Sequence, residues 1–122
     1  MKIKYIPVFV KDMENGIRFF NDKLGLKVAD QIMLDNQTPY LPIQMNSADL
    51  YLGLVVDKDN MGFKTRIILN TTDCLKDYHQ LKAAGICFNK QPEYLAIGLS
   101  AEFNDDYGNQ YILLEERNYN QQ

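Results

Sequence analysis

A single histidine and two cysteines are all the imidazole and thiol chemistry this chain of 122 residues carries. Cys74 and Cys87 have no CxxC or ligand-like spacing, so the expectation is two inert core thiols in a reducing compartment. Lys and Arg number 13 against 16 Asp and Glu, a net charge of −3 with a pI near 5.0. That balance provides no basic field for a nucleic-acid backbone, and DNA or RNA partners are excluded on it. No apolar run reaches the ~20 residues of a membrane span, and the run at the N-terminus is too short and too soon charged for a signal peptide. A cytoplasmic location without a membrane partner is the expectation. There is no G-x-S-x-G elbow and no glycine-rich phosphate loop, which removes the usual hydrolase and nucleotide-binding signatures.

What is present is the composition of a packed soluble domain, with 46% hydrophobic and 24% charged residues. The length allows one domain, or two small modules sharing a core. The chain also repeats itself. Asp12 and Asp73 each end an apolar strand-like run and open a helix-like run that closes on glycine, at Gly25 and Gly85. Each Asp is placed to cap its helix by accepting a hydrogen bond from an orphan backbone N–H. Each Gly is placed to end it in a left-handed conformation. A period of about 60 residues points to a duplicated supersecondary unit.

The element pattern follows from periodicity. Ile3 to Val10 predicts a strand, with Pro7 favouring an outer or irregular position because it has no N–H to donate. Met13, Ile17, Phe20 and Leu24 predict one apolar helical stripe. Extended segments are predicted over residues 26–34, 39–46 and 49–56, separated by turns at Asp35 to Pro39 and at Asn46-Ser47. Asp57 to Gly62 is the predicted linker. A strand over Arg66 to Thr71, a helix presenting Leu75, Tyr78 and Leu81, and strands over 86–89, 95–104 and 109–115 then repeat the order. Asp105 to Asn109 predicts a hairpin turn with Gly108 at positive φ. The tail from Arg117 to Gln122 is polar and is expected to fray. The fold class is therefore α+β, two βαβββ modules over residues 3–57 and 64–116 within one domain. Each module alone has a thin sheet and little core, so modules are expected to pair, within a chain or in a homodimer.

At this point the chain resembles the vicinal oxygen chelate superfamily of glyoxalase I, bleomycin resistance proteins and extradiol dioxygenases. The residues that carry the resemblance are Val10-Lys11-Asp12, the run from Ile17 to Leu26, and the turn Asp105-Asp106-Tyr107-Gly108-Asn109, with Asp106 where the family has proline. It covers residues 3 to 116. The resemblance implies that each module folds into a curved sheet closing around a cleft, in which the family's enzymes hold a divalent metal on His and Glu side chains. Transferred to this sequence, the ligand positions fall on Tyr5, Tyr51, Arg66 and Ile112. None is a usual ligand for a catalytic divalent ion, and Arg66 would repel one. His79 falls in the second helix, where the family places no ligand.

Metal-independent binding of a small organic molecule is the expectation, with no cofactor. Tyr5, Tyr51 and Ile112 would line the cleft and Arg66 would supply a charged contact. The plain alternative is that these side chains pack the core of the sheet. Glu102, Asp105, Asp106, Glu115 and Glu116 crowd the last hairpin, with Glu102 the candidate for drawing in a cationic ligand, as in the drug-sequestering, bleomycin-resistance-like branch. The alternative there is a solvated acidic rim. Two other readings stay open: a metal-dependent lyase, isomerase or dioxygenase of the same superfamily, and a partner-binding module with a filled cleft. A metal-free acid/base enzyme using Tyr5 or Glu102 is also compatible with the sequence.

Overall fold

The computed structural model describes residues 1–33, 37–45 and 49–117. The turns expected at Asp35-Asn36 and at Asn46-Ser47, and the tail beyond Arg117, lie outside the described residues. The chain divides into two compact units, Met1–Thr65 and Arg66–Gln122. Each contains a mixed sheet with a helix on one face.

In the first unit, β1 (Tyr5–Val10) leads into α1 (Met13–Ile17), which continues as a π-helical turn over Arg18–Lys23. The strands β2 (Lys27–Val28), β3 (Ile32–Met33), β4 (Pro39–Gln44) and β5 (Tyr51–Val56) follow. The sheet order is β1-β5-β4-β2, with β3 also on β4, and β1 runs parallel to β5. Pro7 therefore sits on the outer strand of this order, where a missing donor leaves no ladder bond unmade. Asp12 caps α1 as its position requires, accepting from the Asn15 backbone N–H at 2.7 Å.

The stripe is not the one periodicity predicts. Gly16, Phe19 and Phe20 are buried, while Ile17 is exposed. A Cβ added at Gly16 would lie 3.1 Å from Leu54 and 3.2 Å from Val10, so glycine lets the helix axis approach the sheet at that point. The wider π turn then brings Phe19 inward beside Phe20, and the Leu24 N–H bonds back to the Phe19 carbonyl at 3.1 Å.

The single strand expected over 26–34 is two short ones. Ala29 donates to the Pro42 carbonyl at 2.8 Å, but Pro42 has no N–H to return the bond. The pairing slips by one residue between Val28 opposite Ile43 and Ile32 opposite Tyr40, which is a bulge.

The second unit repeats the order with different lengths. It consists of β6 (Arg66–Asn70), α2 (Cys74–Ala83), β7 (Glu93–Leu95), β8 (Gly98–Asn104) and β9 (Gln110–Glu116), ordered β6-β9-β8-β7. Asp73 caps α2 through the Lys76 N–H at 3.1 Å. Gly85, at φ +99°, closes it with Ile86 N–H on Leu81 O and Gly85 N–H on Lys82 O, the two bonds of a Schellman ending.

Cys74 and Tyr78 are the buried residues of α2, whereas Leu75 is 46% exposed, which corrects the predicted Leu75–Tyr78–Leu81 face. The inward direction is set by aromatic partners: Tyr78 meets Phe88 at 4.5 Å between centroids, Phe88 meets Phe103 at 5.2 Å, and Phe103 stacks on Tyr111 at 5.3 Å. Residues 86–89 do not form the predicted strand and make only an isolated bridge from Phe88 to Phe103. The run 95–104 breaks into a hairpin, with Leu95 opposite Gly98 and a two-residue turn between them.

Candidate functional site

One face of each sheet carries the helix, and strand alternation sends every second side chain to the opposite, open face. In the first unit the open face is arranged in three rungs across β1, β5 and β4. Tyr5 is opposite Tyr51, which is opposite Gln44. Pro7, Gly53 and Pro42 form the next rung, and Phe9 opposite Val55 the last, with Tyr40 two residues before Pro42 on the same face of β4; Gly53, Pro42 and Val55 are buried.

The structure brings Tyr5 and Tyr51 together. Their ring centroids are 5.7 Å apart at an interplanar angle of 39°, and both are half-buried. The parallel register that places them side by side is fixed by the helix-side partners Val8 and Leu54, neither of which has any exposed surface. The Lys4 ammonium lies 4.9 Å from the Tyr51 ring centre and 5.9 Å from that of Tyr5, within cation–π range of both. These tyrosines are therefore not filling the core of this unit.

At the other end of the same face is a hollow of about 200 Å³ lined by Phe9, Tyr40, Val55, Met61 and Phe63, with Thr38 and the polar residues Asp57 to Asp59 at its margin. Phe9 and Phe63 meet at 5.2 Å. Asp57 folds the segment expected to be a linker back over this end, its carboxylate accepting from the Met61 N–H at 2.9 Å and the Gly62 N–H at 2.8 Å. The sequence reading missed these residues. Alternation from Tyr5 and Tyr51 would have indicated Phe9 and Val55, four positions on. Met61 and Phe63 gave no signal, because nothing in a polar linker says that it returns to the sheet.

In the second unit, Ile112 is opposite Glu102 on β8 and opposite Ile68 on β6. Ile112 and Glu102 are half-buried and Ile68 is 63% exposed, so this open face presents an aliphatic strip beside a carboxylate. Arg66 is exposed and lies one rung away, opposite Gln110. It shares the face of Ile112 without being its cross-strand partner.

The acidic hairpin is not a uniform rim. Asp105 turns inward: its Oδ1 accepts from the backbone N–H groups of Tyr107 and Asn109, each at 3.0 Å. Its Oδ2 accepts from Asn109 Nδ2 at 2.9 Å and from the Tyr111 hydroxyl at 2.8 Å. Burial, followed by the Asp105 charge and this hydrogen bond, pushes the Tyr111 hydroxyl far above the ordinary tyrosine pKa. Glu115 is also engaged, accepting from the Cys74 backbone N–H at 2.9 Å and from Arg117 at 2.7 Å. The Cys74 N–H and then Arg117 hold its carboxyl below the usual range. Gly108 has φ +100°, as the turn reading requires.

Among the described residues no group of three or more His, Cys, Asp or Glu is placed to hold a metal ion. The donors at the transferred positions, two phenols, a guanidinium and an aliphatic side chain, do not fit a catalytic divalent cation. His79 is exposed on α2. Cys74 is buried, and burial raises its thiol pKa, followed by the nearby carboxylates. Cys87 is exposed, which corrects the expectation of two core thiols. No helix among the described residues is long and apolar enough to cross a membrane.

Two mixed sheets with few helices, the two units repeating a strand–helix–strands order, define an α+β protein of the glyoxalase/bleomycin resistance fold. The chain belongs to the Glyoxalase/Bleomycin resistance protein/Dioxygenase superfamily, whose family model matches residues 2–112. It is 23% identical over 117 residues to the protein YetH of Bacillus subtilis (strain 168), a match covering 93% of this chain and 98% of that one. A superfamily member from Sphaerobacter thermophilus DSM 20745 has a crystal structure similar at a TM-score of 0.82, with 25% identity over 95% of this chain and 98% of that one. TnmS3, an antibiotic binding protein from Streptomyces sp. CB03234, is similar at a TM-score of 0.83 with 24% identity, covering 96% and 97% of the two chains.

Proposed function

We propose that this protein binds a small organic molecule on the open faces of its sheets without a metal ion, in the manner of a drug-sequestering protein. The observation that carries the reading is the Tyr5–Tyr51 pair, which stands at transferred metal positions and presents two ring faces and two hydroxyls where the family's enzymes need ligating lone pairs. Such groups favour a planar or apolar partner, with the hydroxyls fixing its orientation. In the second unit taken by itself, Ile112 presents an apolar surface of the same kind, with Glu102 and Arg66 beside it as charges of opposite sign for polar groups of a ligand. The antibiotic-binding neighbour supports this reading through its shared fold.

In this proposal the two units are modules of one domain, and the open faces are the reason a homodimer is expected; sedimentation equilibrium measures that directly. The function itself is tested by a thermal-shift screen of aromatic compounds and glycopeptide antibiotics, paired with calorimetric titration of zinc, nickel and iron(II). Stabilisation by an organic compound with no metal uptake is the expected outcome. Stoichiometric micromolar metal binding would refute the metal-free reading and return the chain to the lyases, isomerases and dioxygenases of its superfamily.

A further inference from the structure

We infer that the hollow between Phe9, Tyr40 and Phe63 is a second binding site, built for a flat one- or two-ring aromatic compound that carries an amino cation. This rests on the reading of the open face as a ligand surface, but it places the ligand elsewhere. The hollow lies four residues along the strands from the tyrosine pair, about 13 Å at the rise of a β-strand.

Three features shape the space. Gly53 provides the first: a Cβ there would come within 2.9 Å of the Tyr40 ring, so glycine is what lets that ring lie down over the middle rung as one wall. Phe9 and Phe63 provide the second wall, inclined at 45° to each other, with the buried Val55 side chain beneath. The third is a cover of residues that the core does not hold: Met61 is 63% and Phe63 51% exposed, and both are carried by the Asp57-clasped segment. Large apolar side chains left half in water gain burial when a ring slides beneath them.

Volume sets the ligand's size. Sites for drug-sized molecules run from ~300 to ~1,000 Å³, and this one is about 200 Å³. A molecule of one or two fused rings fits, and a glycopeptide does not. Charge sets its sign. Among the residues that line the hollow, Asp57 and Asp59 stand against one cation, Lys58, whose ammonium is drawn toward the Gln37 carbonyl at 3.2 Å, while the Lys64 ammonium lies on the Gly62 carbonyl at 3.5 Å and is not part of the lining. The margin is net acidic, so an ammonium on the ring is favoured and a carboxylate is opposed.

The test uses the full chain, 1-naphthylmethylamine as the cationic probe and 1-naphthoate as the anionic one, read by amide chemical-shift titration. The expected result is saturable shifts centred on Val55, Val56 and Lys58, with the naphthoate bound about fivefold more weakly, as for exposed charge pairs. Phe63→Ala, which alters a half-exposed side chain outside any strand, weakens the amine about fivefold by removing one ring face. Gly53→Ala weakens it too by displacing Tyr40, with circular dichroism reporting that the sheet is retained. Shifts confined to Tyr5, Tyr51 and their neighbours would overturn the second site and leave the proposed function standing. Absence of saturable shifts at millimolar probe would overturn the second site as well, while the compound screen judges the function separately.

Discussion

Asp105→Ala removes the acceptor at the centre of the last hairpin. The Asp105 carboxylate accepts four hydrogen bonds, two from backbone N–H groups and two from the side chains of Asn109 and Tyr111. Asn109 and Tyr111 have no exposed surface, so water cannot replace the lost acceptor. Leaving a buried donor unpaired costs about 1–3 kcal/mol. Three such donors, the Asn109 backbone and side-chain N–H groups and the Tyr111 hydroxyl, give a loss of at least about 3 kcal/mol, or roughly 12 °C in Tm for a chain of this length.

Asp106 is the control: the next residue in the same turn, with the same charge, but exposed. Its replacement by alanine should change stability by less than ~0.5 kcal/mol. Urea unfolding followed by far-UV circular dichroism measures both, since the chain has no tryptophan to report by fluorescence. Tyr111→Phe combined with Asp105→Ala should cost less than the sum of the two single changes, by about 1 kcal/mol, because one hydrogen bond is counted twice. If Asp105→Ala and Asp106→Ala unfold at the same urea concentration, Asp105 is an ordinary member of an acidic rim and the reasoning is wrong.

Alkaline pH should unfold the second unit through Tyr111. Above the ordinary tyrosine pKa of about 10 the unfolded chain releases this proton while the folded chain keeps it, so stability falls as pH rises, by up to about 1.4 kcal/mol per pH unit. Tyr111→Phe should remove that slope when both proteins are titrated in urea between pH 9 and 11. Gly98→Ala should cost at least about 3 kcal/mol or prevent folding, since the new Cβ would lie 2.1 Å from the Glu115 carbonyl oxygen at φ +151°. Soluble expression at wild-type Tm would contradict this. Ellman's reagent should label one thiol quickly in the native protein, Cys87, and Cys74 only on unfolding. Equal labelling of both would show that α2 opens far more readily than its packing implies.

The fold was legible from the punctuation of the chain. Asp12 and Asp73 cap helices, Gly25, Gly85 and Gly108 take positive φ, and β1, β5, β6 and β9 lie close to where alternation places them. These features are local: a cap or a turn depends on residues within four positions of itself. The breaks were not legible. The bulge opposite Pro42 and the hairpin at Gly98 arise from what the neighbouring strand offers, and 86–89 became a bridge because Phe88 was captured by Tyr78 and Phe103. Helix faces erred for the same reason. At Gly16 a missing side chain controlled the approach to the sheet, and a hydrophobic stripe cannot register an absence.

Of the candidate site, the residue types were legible along the chain: tyrosine, arginine and isoleucine at the transferred metal positions, and a duplicated frame from which to count to them. Tertiary structure alone decided which of them meet. Tyr5 and Tyr51 are 46 positions apart and become neighbours through a parallel register set by buried partners on the other face. Ile112 meets Glu102 and Ile68 while Arg66 falls one rung away. The same register carried Phe9 to Val55, and the Asp57 clasp carried Phe63 to Phe9. Strand pairing and loop closure are non-local, so the hollow they make has no image in any short stretch of the chain.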